Sequence, residues 1–283
     1  MREFSGRVAV IATMHHKEEA IAPPLEAALG VVVQVPPNFN TDRFGTFTRD
    51  VPRLADQMGT ARAKAQAALE MTGETLAIAS EGSFGPCPEM PLLPCNRELV
   101  VLVDQSQGLE VAGQAVSMET NFRAQSVSTI EEALTFARPV GFPEHGLVVM
   151  PTAEGASDGI TKGITTEAGL REAIALARTY APTPEVHIET DMRALYNPSR
   201  MAVIAQATQD LVAAIERRCP SCGCPGFTVT QRRPGLPCEL CRAPTLLTLS
   251  ARYGCQRCPF QQEVRFPDGL QFADPGLCPY CNP

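Results

Sequence analysis

No stretch of this chain approaches the roughly 18–20 consecutive apolar residues that a membrane helix needs, so no membrane partner is expected. The opening residues carry Arg2, Glu3 and Arg7 without an apolar run, which argues against a signal peptide and for a cytoplasmic protein. There is no G-x-x-x-x-G-K-[ST] run, so the Gly-rich stretch that ends near Lys162 is not a P-loop. A basic excess is missing too. The net charge is −7, and residues 219–283 hold six Arg against Glu239, Glu263, Asp268 and Asp274, which leaves −9 on the first 218 residues. An acidic body of this kind disfavours general polyanion binding. Cysteine is scarce before residue 219, with only Cys87 and Cys95 there. What the chain does have is 283 residues, 44% of them apolar, enough for a full core and an appendage.

The order of strand and helix patterns predicts an α/β fold: a mixed-sheet α/β body with a small C-terminal module. Strands are expected at 7–12, 31–35, 76–79, 147–150 and 186–190. Helices are expected at 17–29, interrupted by Pro23-Pro24, and at 53–71, 130–137, 166–179 and 199–218. Residues 98–103 and 109–118 read as a hairpin across Asp104–Gly108. Residues 36–50, 81–95 and 153–164 read as loops, the last a candidate lid. The expected division is a body of residues 1–218, itself 1–150 and an extension 151–218, followed by a module of residues 219–283.

Nine of eleven cysteines follow residue 218, and eight form Cys-x-x-Cys pairs: Cys219/Cys222, Cys238/Cys241, Cys255/Cys258 and Cys278/Cys281. In an intracellular chain, pairs at this spacing signal metal rather than disulfides. Each pair turns two thiolates toward one ion, and two pairs complete a tetrahedral zinc site. Fifteen residues separate Cys222 from Cys238 and nineteen separate Cys258 from Cys278. Both gaps match ribbon spacing, so the C-terminal module is expected to be a tandem zinc-ribbon module with sequential pairing, interleaved pairing being the alternative. Both zinc ions would be structural, since four thiolates leave no open position. Cys224 reads as a spare small residue.

Four places in the body can carry chemistry. Thr13, His15 and Lys17 lie where the first strand turns into a helix, a place that suits phosphate, or they form a solvated turn. Adjacent His15 and His16 diverge and would not share an ion. Ser80, Glu81 and Gly82 end a strand; Glu81 would hold Mg²⁺, or simply occupy a turn. On the long helix, Arg62 and Lys64 would reach phosphate or solvate the surface, and Asp56 would be a second Mg²⁺ ligand or complement the helix dipole. Glu189, Asp191, Arg193 and Arg200 form a further candidate site, unless Asp191 is only ion-paired to Arg193 or Arg200.

Strand one leading to Thr13-x-x-x-Lys17, then Ala61-Arg62-x-x-Ala65, then Ser80-Glu81-Gly82, with the hairpin at 100–118, resembles the inosine triphosphate pyrophosphatase-like fold. Within it, the noncanonical purine NTP phosphatase branch is the more similar. The resemblance covers about residues 7–120. Met14 and His15 stand where that branch has Asn, and Asp56 is the nearest acid to one it carries near Gly59. As a whole the chain is similar to an uncharacterised bacterial family that pairs such a body with a Cys-rich tail. The resemblance implies a Mg²⁺-dependent hydrolase of a nucleotide or related phosphate ester, with Lys17 and Glu81 catalytic and Thr13, His15, Arg62, Lys64, Ser80 and Gly82 on the substrate. The other expectation is a non-enzymatic protein that binds nucleic acid or a protein partner through Arg232, Arg233, Arg242, Arg252, Tyr253, Arg257 and Phe260. The sequence indicates no oligomeric state.

Overall fold

The computed structural model describes residues 3–45, 51, 55–87, 92–152, 158–181 and 183–283. The expected helix start at Arg53, and parts of the loops expected at 36–50, 81–95 and 153–164, lie outside these residues. The chain divides into two compact units. Unit 1 comprises residues 1–104 and 112–212; unit 2 comprises 105–111 and 213–283.

Unit 1 holds two sheets. The first has β1 (Val8–Ala12), β2 (Val32–Gln34), β3 (Leu76–Pro86), β4 (Pro94–Asp104) and β5 (Leu109–Ser117) in the order β2-β1-β3-β4-β5. β1 runs parallel to both β2 and β3. Parallel neighbours need crossovers, which are supplied by α1 (Glu18–Leu29) and α2 (Gln57–Thr72). α1 runs unbroken through Pro23 and Pro24 and ends on Gly30, whose φ of 68° no other residue adopts as readily. α2 starts at Asp56, whose carboxylate accepts the Gly59 N–H at 2.7 Å, and ends on Gly73. Its buried stripe, Ala61, Ala65, Ala68 and Leu69, packs on Val10, Ala12, Ala77, Ala79 and Val101. Small side chains at helical spacing let the helix lie close to the sheet.

Residues 81–86, expected as loop, continue β3. The ladder to β4 runs from Leu76↔Asp104 to Pro86↔Pro94. Ser83, Gly82 and Gly85 lack the β-branched pattern of a strand, but β4 supplies a full set of backbone partners, and pairing outweighs propensity.

The second sheet has β6 (Ala124–Val127), β7 (Leu147–Pro151), β8 (Thr161–Ile164) and β9 (Val186–Thr190) in the order β6-β9-β7-β8, with every pairing antiparallel. α3 (Ile130–Ala137) and α4 (Glu167–Tyr180), each N-capped by a threonine, Thr129 and Thr166, cover one face. Leu147, Val149, Val186 and Ile188 point into that core with Phe136, Leu170 and Ile174. The two-residue period turns Val148, His187 and Glu189 to the other face. α5 (Pro198–Glu216) follows β9.

Unit 2 is built on a three-stranded sheet, β10 (Thr228–Pro234), β11 (Thr248–Gly254) and β12 (Gln261–Arg265), antiparallel throughout. Residues 105–111 belong to it. Arg257 donates to Gln107 at 2.6 Å, and the Glu110 N–H donates to Gln256 at 2.9 Å. No helix among the described residues is long and apolar enough to cross a membrane.

Candidate functional site

A cavity of about 410 Å³ lies between the two sheets of unit 1. The first sheet and its helices contribute Thr13, His15, Lys17, Lys64, Glu81 and Phe84. The second contributes Val148, Lys162, His187 and Glu189, and the segment after β9 adds Asp191, Arg193 and Arg200. Three of the four places singled out in the sequence supply walls directly, and the long helix supplies Lys64. Residues far apart in the chain meet here because β1 and β3 are adjacent and parallel, so their C-terminal ends open at the same edge.

Lys17 is 7% exposed. Its Nζ donates to the hydroxyl of Ser80 at 3.0 Å and to the Ser80 carbonyl at 3.4 Å. No carboxylate among the described residues lies within ion-pair distance of it. Burial, with Arg200 and Lys64 nearby, brings its pKa down from the usual lysine range to about 7, against the opposite pull of Glu81 and Glu98. Lys64 is also buried and pairs with Glu81 in a short contact. The Glu81 backbone carbonyl accepts from Gln57 at 2.7 Å. His15 Nε2 meets Asp42 at 3.3 Å; burial lowers its pKa, and Asp42 acts against that.

Arg193 and Arg200 hold carboxylates. Arg193 Nη2 is 2.7 Å from the Asp191 carboxylate, which also accepts from the N–H groups of Arg193 and Gly163. Arg200, buried, pairs with Glu98 at 2.7 Å and stacks on Phe84. Asp191 therefore pairs with Arg193 and not with Arg200. Glu189 lies 3.5 Å from His187. Gly82 borders this network, because a Cβ there would meet Arg200 at 2.4 Å and Glu98 at 2.6 Å.

Two expected site residues lie elsewhere. Arg62 is exposed and does not line the cavity. Asp56 is exposed as well, and its carboxylate is engaged as the α2 cap. The cavity lining thus includes Glu81 but not Asp56, which serves as the α2 cap. Asp42, Glu98, Phe84, Phe122 and His187 were not singled out by sequence reasoning. A signal did exist for the cations. The chain has only three lysines against 21 arginines, and Lys17, Lys64 and Lys162 all line this one cavity.

In unit 2 the eight paired cysteines form two groups, Cys219/Cys222/Cys255/Cys258 and Cys238/Cys241/Cys278/Cys281, with all four sulfurs of each within 4.8 Å of one another. The expected sequential pairing is therefore overturned in favour of interleaved pairing. The sheet explains it. Register Thr228↔Gly254 brings the segments holding Cys219–Cys222 and Cys255–Cys258 to one end. Pro234↔Thr248 sends Cys238–Cys241 to the other end, where a bridge Cys238↔Ala273 brings up Cys278–Cys281. Sulfur separations of 3.6–3.9 Å match the edges, about 3.8 Å, of a tetrahedron with ~2.3 Å Zn–S bonds. Both groups fit a tetrahedral metal ion. The turns are built for it: Gly223 and Arg242, each directly after a second cysteine, have φ of 71° and 64°, and their N–H groups donate back to Cys219 and Cys238. Burial raises the Cys255 pKa, but the N–H groups of Arg257 and Cys258, with the thiols of Cys222 and Cys219, bring it down to about 6. Cys224 is buried and belongs to neither group; Cys87 and Cys95 are buried in unit 1.

A family model described as a domain of unknown function, DUF6671, matches residues 64–283. The chain belongs to the DUF6671 family. That match takes in both Cys groups and, of the cavity, everything from Lys64 onward, while Thr13, His15 and Lys17 precede it. A search of curated proteins finds no match for this DUF6671 protein. Among solved structures it is similar to protein VC0702 from Vibrio cholerae, at 10% identity and a TM-score of 0.34, over 74% of this chain and 94% of that one.

Proposed function

We propose that the unit 1 cavity binds a phosphate-bearing small molecule, a nucleoside triphosphate or related ester, and hydrolyses it. The observation that carries this reading is the concentration of all three lysines, with Arg193 and Arg200, around one cavity. Lys17 is the buried cation whose charge is not already answered by a carboxylate, and an anion would answer it. The order of short motifs that resembles nucleotide pyrophosphatases supports the same reading. Phosphate would engage Lys17 and draw Lys64 away from Glu81. The released carboxylate would then orient water as a general base. Mg²⁺ enters this scheme only with the substrate.

The test is phosphate and pyrophosphate release from a panel of common and deaminated nucleoside triphosphates, with and without Mg²⁺. Turnover lost in Glu81→Gln supports the assignment. Undiminished turnover in that variant sinks it.

We further propose zinc for the two four-thiolate groups. With every position filled by sulfur, the ions hold the fold of a small module instead of activating water. A second reading concerns this module's surface. Arg232 and Arg233 pair with Asp268 and Glu263. Around the second Cys group, Leu240, Leu277 and Tyr280 are exposed. Apolar groups with neutralised arginines favour a protein partner over nucleic acid. Salt-dependent binding of single-stranded RNA or DNA at low ionic strength would overturn that preference.

A further inference from the structure

We propose that the unit 1 cavity takes up its anion together with a proton, and that the proton goes to the Nζ of Lys17. This inference rests on the phosphate-site reading and adds how that site is regulated.

The geometry leaves Lys17 as the odd cation of the cavity. From α2, Lys64 faces it but holds Glu81; from α5, Arg200 faces it but holds Glu98 on β4. From β3, Ser80 offers a hydroxyl and a carbonyl, which solvate an amine in either protonation state. The nearby carboxylates are thus already engaged by neighbours, while both neighbouring cations repel a charge on Nζ. Out of water and beside two cations, the amine is neutral for much of the range above pH 7.

The choice of residue points the same way. Arginine cannot release its proton, whereas lysine does so readily when buried. A chain that uses arginine for 21 of its 24 basic positions places every lysine at this cavity.

An arriving phosphate supplies the missing counter-charge. The amine gains one proton from solvent and becomes an ammonium that donates to the anion; no bond within the ligand changes. The bound state therefore has the higher pKa. Affinity is complete below about pH 7 and falls as pH rises above it, by up to about tenfold per unit.

The experiment is calorimetric titration of the zinc-loaded full chain with pyrophosphate at pH 8, in buffers of different ionisation enthalpy, for the wild type and Lys17→Arg. The ligand's own protons are common to both proteins, so the difference reports residue 17. Wild type is expected to take up close to one more proton than Lys17→Arg. Its affinity should also fall between pH 7 and 9 relative to the variant.

A second measurement needs no variant. With ¹³C at the lysine ε-carbons the chain gives three signals, and one should titrate near neutral pH in the free protein and stop doing so when pyrophosphate is added. Pyrophosphate binding with equal proton numbers in the two proteins, or with no lysine signal titrating near neutrality, overturns the inference and leaves the phosphate site standing. Absence of pyrophosphate binding overturns both.

Discussion

Arg200 and Glu98, 102 positions apart in sequence, form an ion pair at 2.7 Å with both side chains out of water. Arg200 also donates to the carbonyl of Met192, just past β9. One guanidinium therefore ties β4 of the first sheet to the end of β9 in the second and closes one wall of the cavity. Desolvating two charges is costly, and their attraction offsets that cost only while both are present.

Glu98→Ala should accordingly destabilise the protein by about 3–5 kcal/mol, since it takes the carboxylate away from a buried guanidinium. Urea unfolding of zinc-loaded protein reads the change. A loss under about 1 kcal/mol would mean that water reaches Arg200 and that the pair is not the clasp described here.

Gly82→Ala tests the same clasp sterically. The added Cβ would have to displace the Arg200 guanidinium or the Glu98 carboxylate. A loss of about 1–3 kcal/mol is expected, together with weaker pyrophosphate binding. Wild-type affinity in this variant would show that Arg200 has no part in the site.

Lys17→Met should stabilise the ligand-free protein while abolishing anion binding. Lys17 has a folded-state pKa of about 7, depressed below its unfolded value near 10.4. Between those values the unfolded chain binds more protons, so the wild type gains stability as pH rises from 7 to 10. The variant should lack that slope and be more stable at pH 7 by an amount on the order of 1–3 kcal/mol. Equal pH slopes for the two proteins in chemical denaturation would contradict the burial argument.

The interleaved cysteine groups predict metal content. A Cys219→Ser/Cys255→Ser double variant removes two ligands from one group and should retain one zinc per chain. Under sequential pairing the same variant would damage both sites and lose both ions. Elemental analysis after gel filtration separates the two outcomes.

Asp56→Ala removes a helix cap and should cost about 0.5–2 kcal/mol of stability, with no effect on Mg²⁺-dependent turnover. A collapse of turnover in a folded Asp56→Ala protein would restore the metal-ligand role that the cap geometry argues against.

Much of the fold was legible. α3 and β9 lie where apolar periodicity puts them, and of the two adjacent threonines that could cap α4, Thr165 and Thr166, it is Thr166 that does so. The extension of β3 through Gly82 and Gly85 was not, because a strand poor in β-branched residues is held by its partner, which the local pattern does not contain. At the site, Thr13, Lys17 and Glu81 stood out by their place at strand ends. Asp42 and Glu98 did not, although a glutamate inside the apolar run of β4 was itself a sign of a buried partner.

By itself the sequence determined the alternation of helix and strand, the presence of eight metal-spaced thiols and the scarcity of lysine. Each of these is a property of residue type at short range. Only the tertiary structure decided which thiols share an ion, since antiparallel register brings together pairs distant in the chain. It alone brought Lys17, Lys64 and Lys162 to one cavity, with Glu81 on its lining and Asp56 at the α2 cap, because where side chains meet depends on which strands are neighbours, and that depends on packing the whole chain at once.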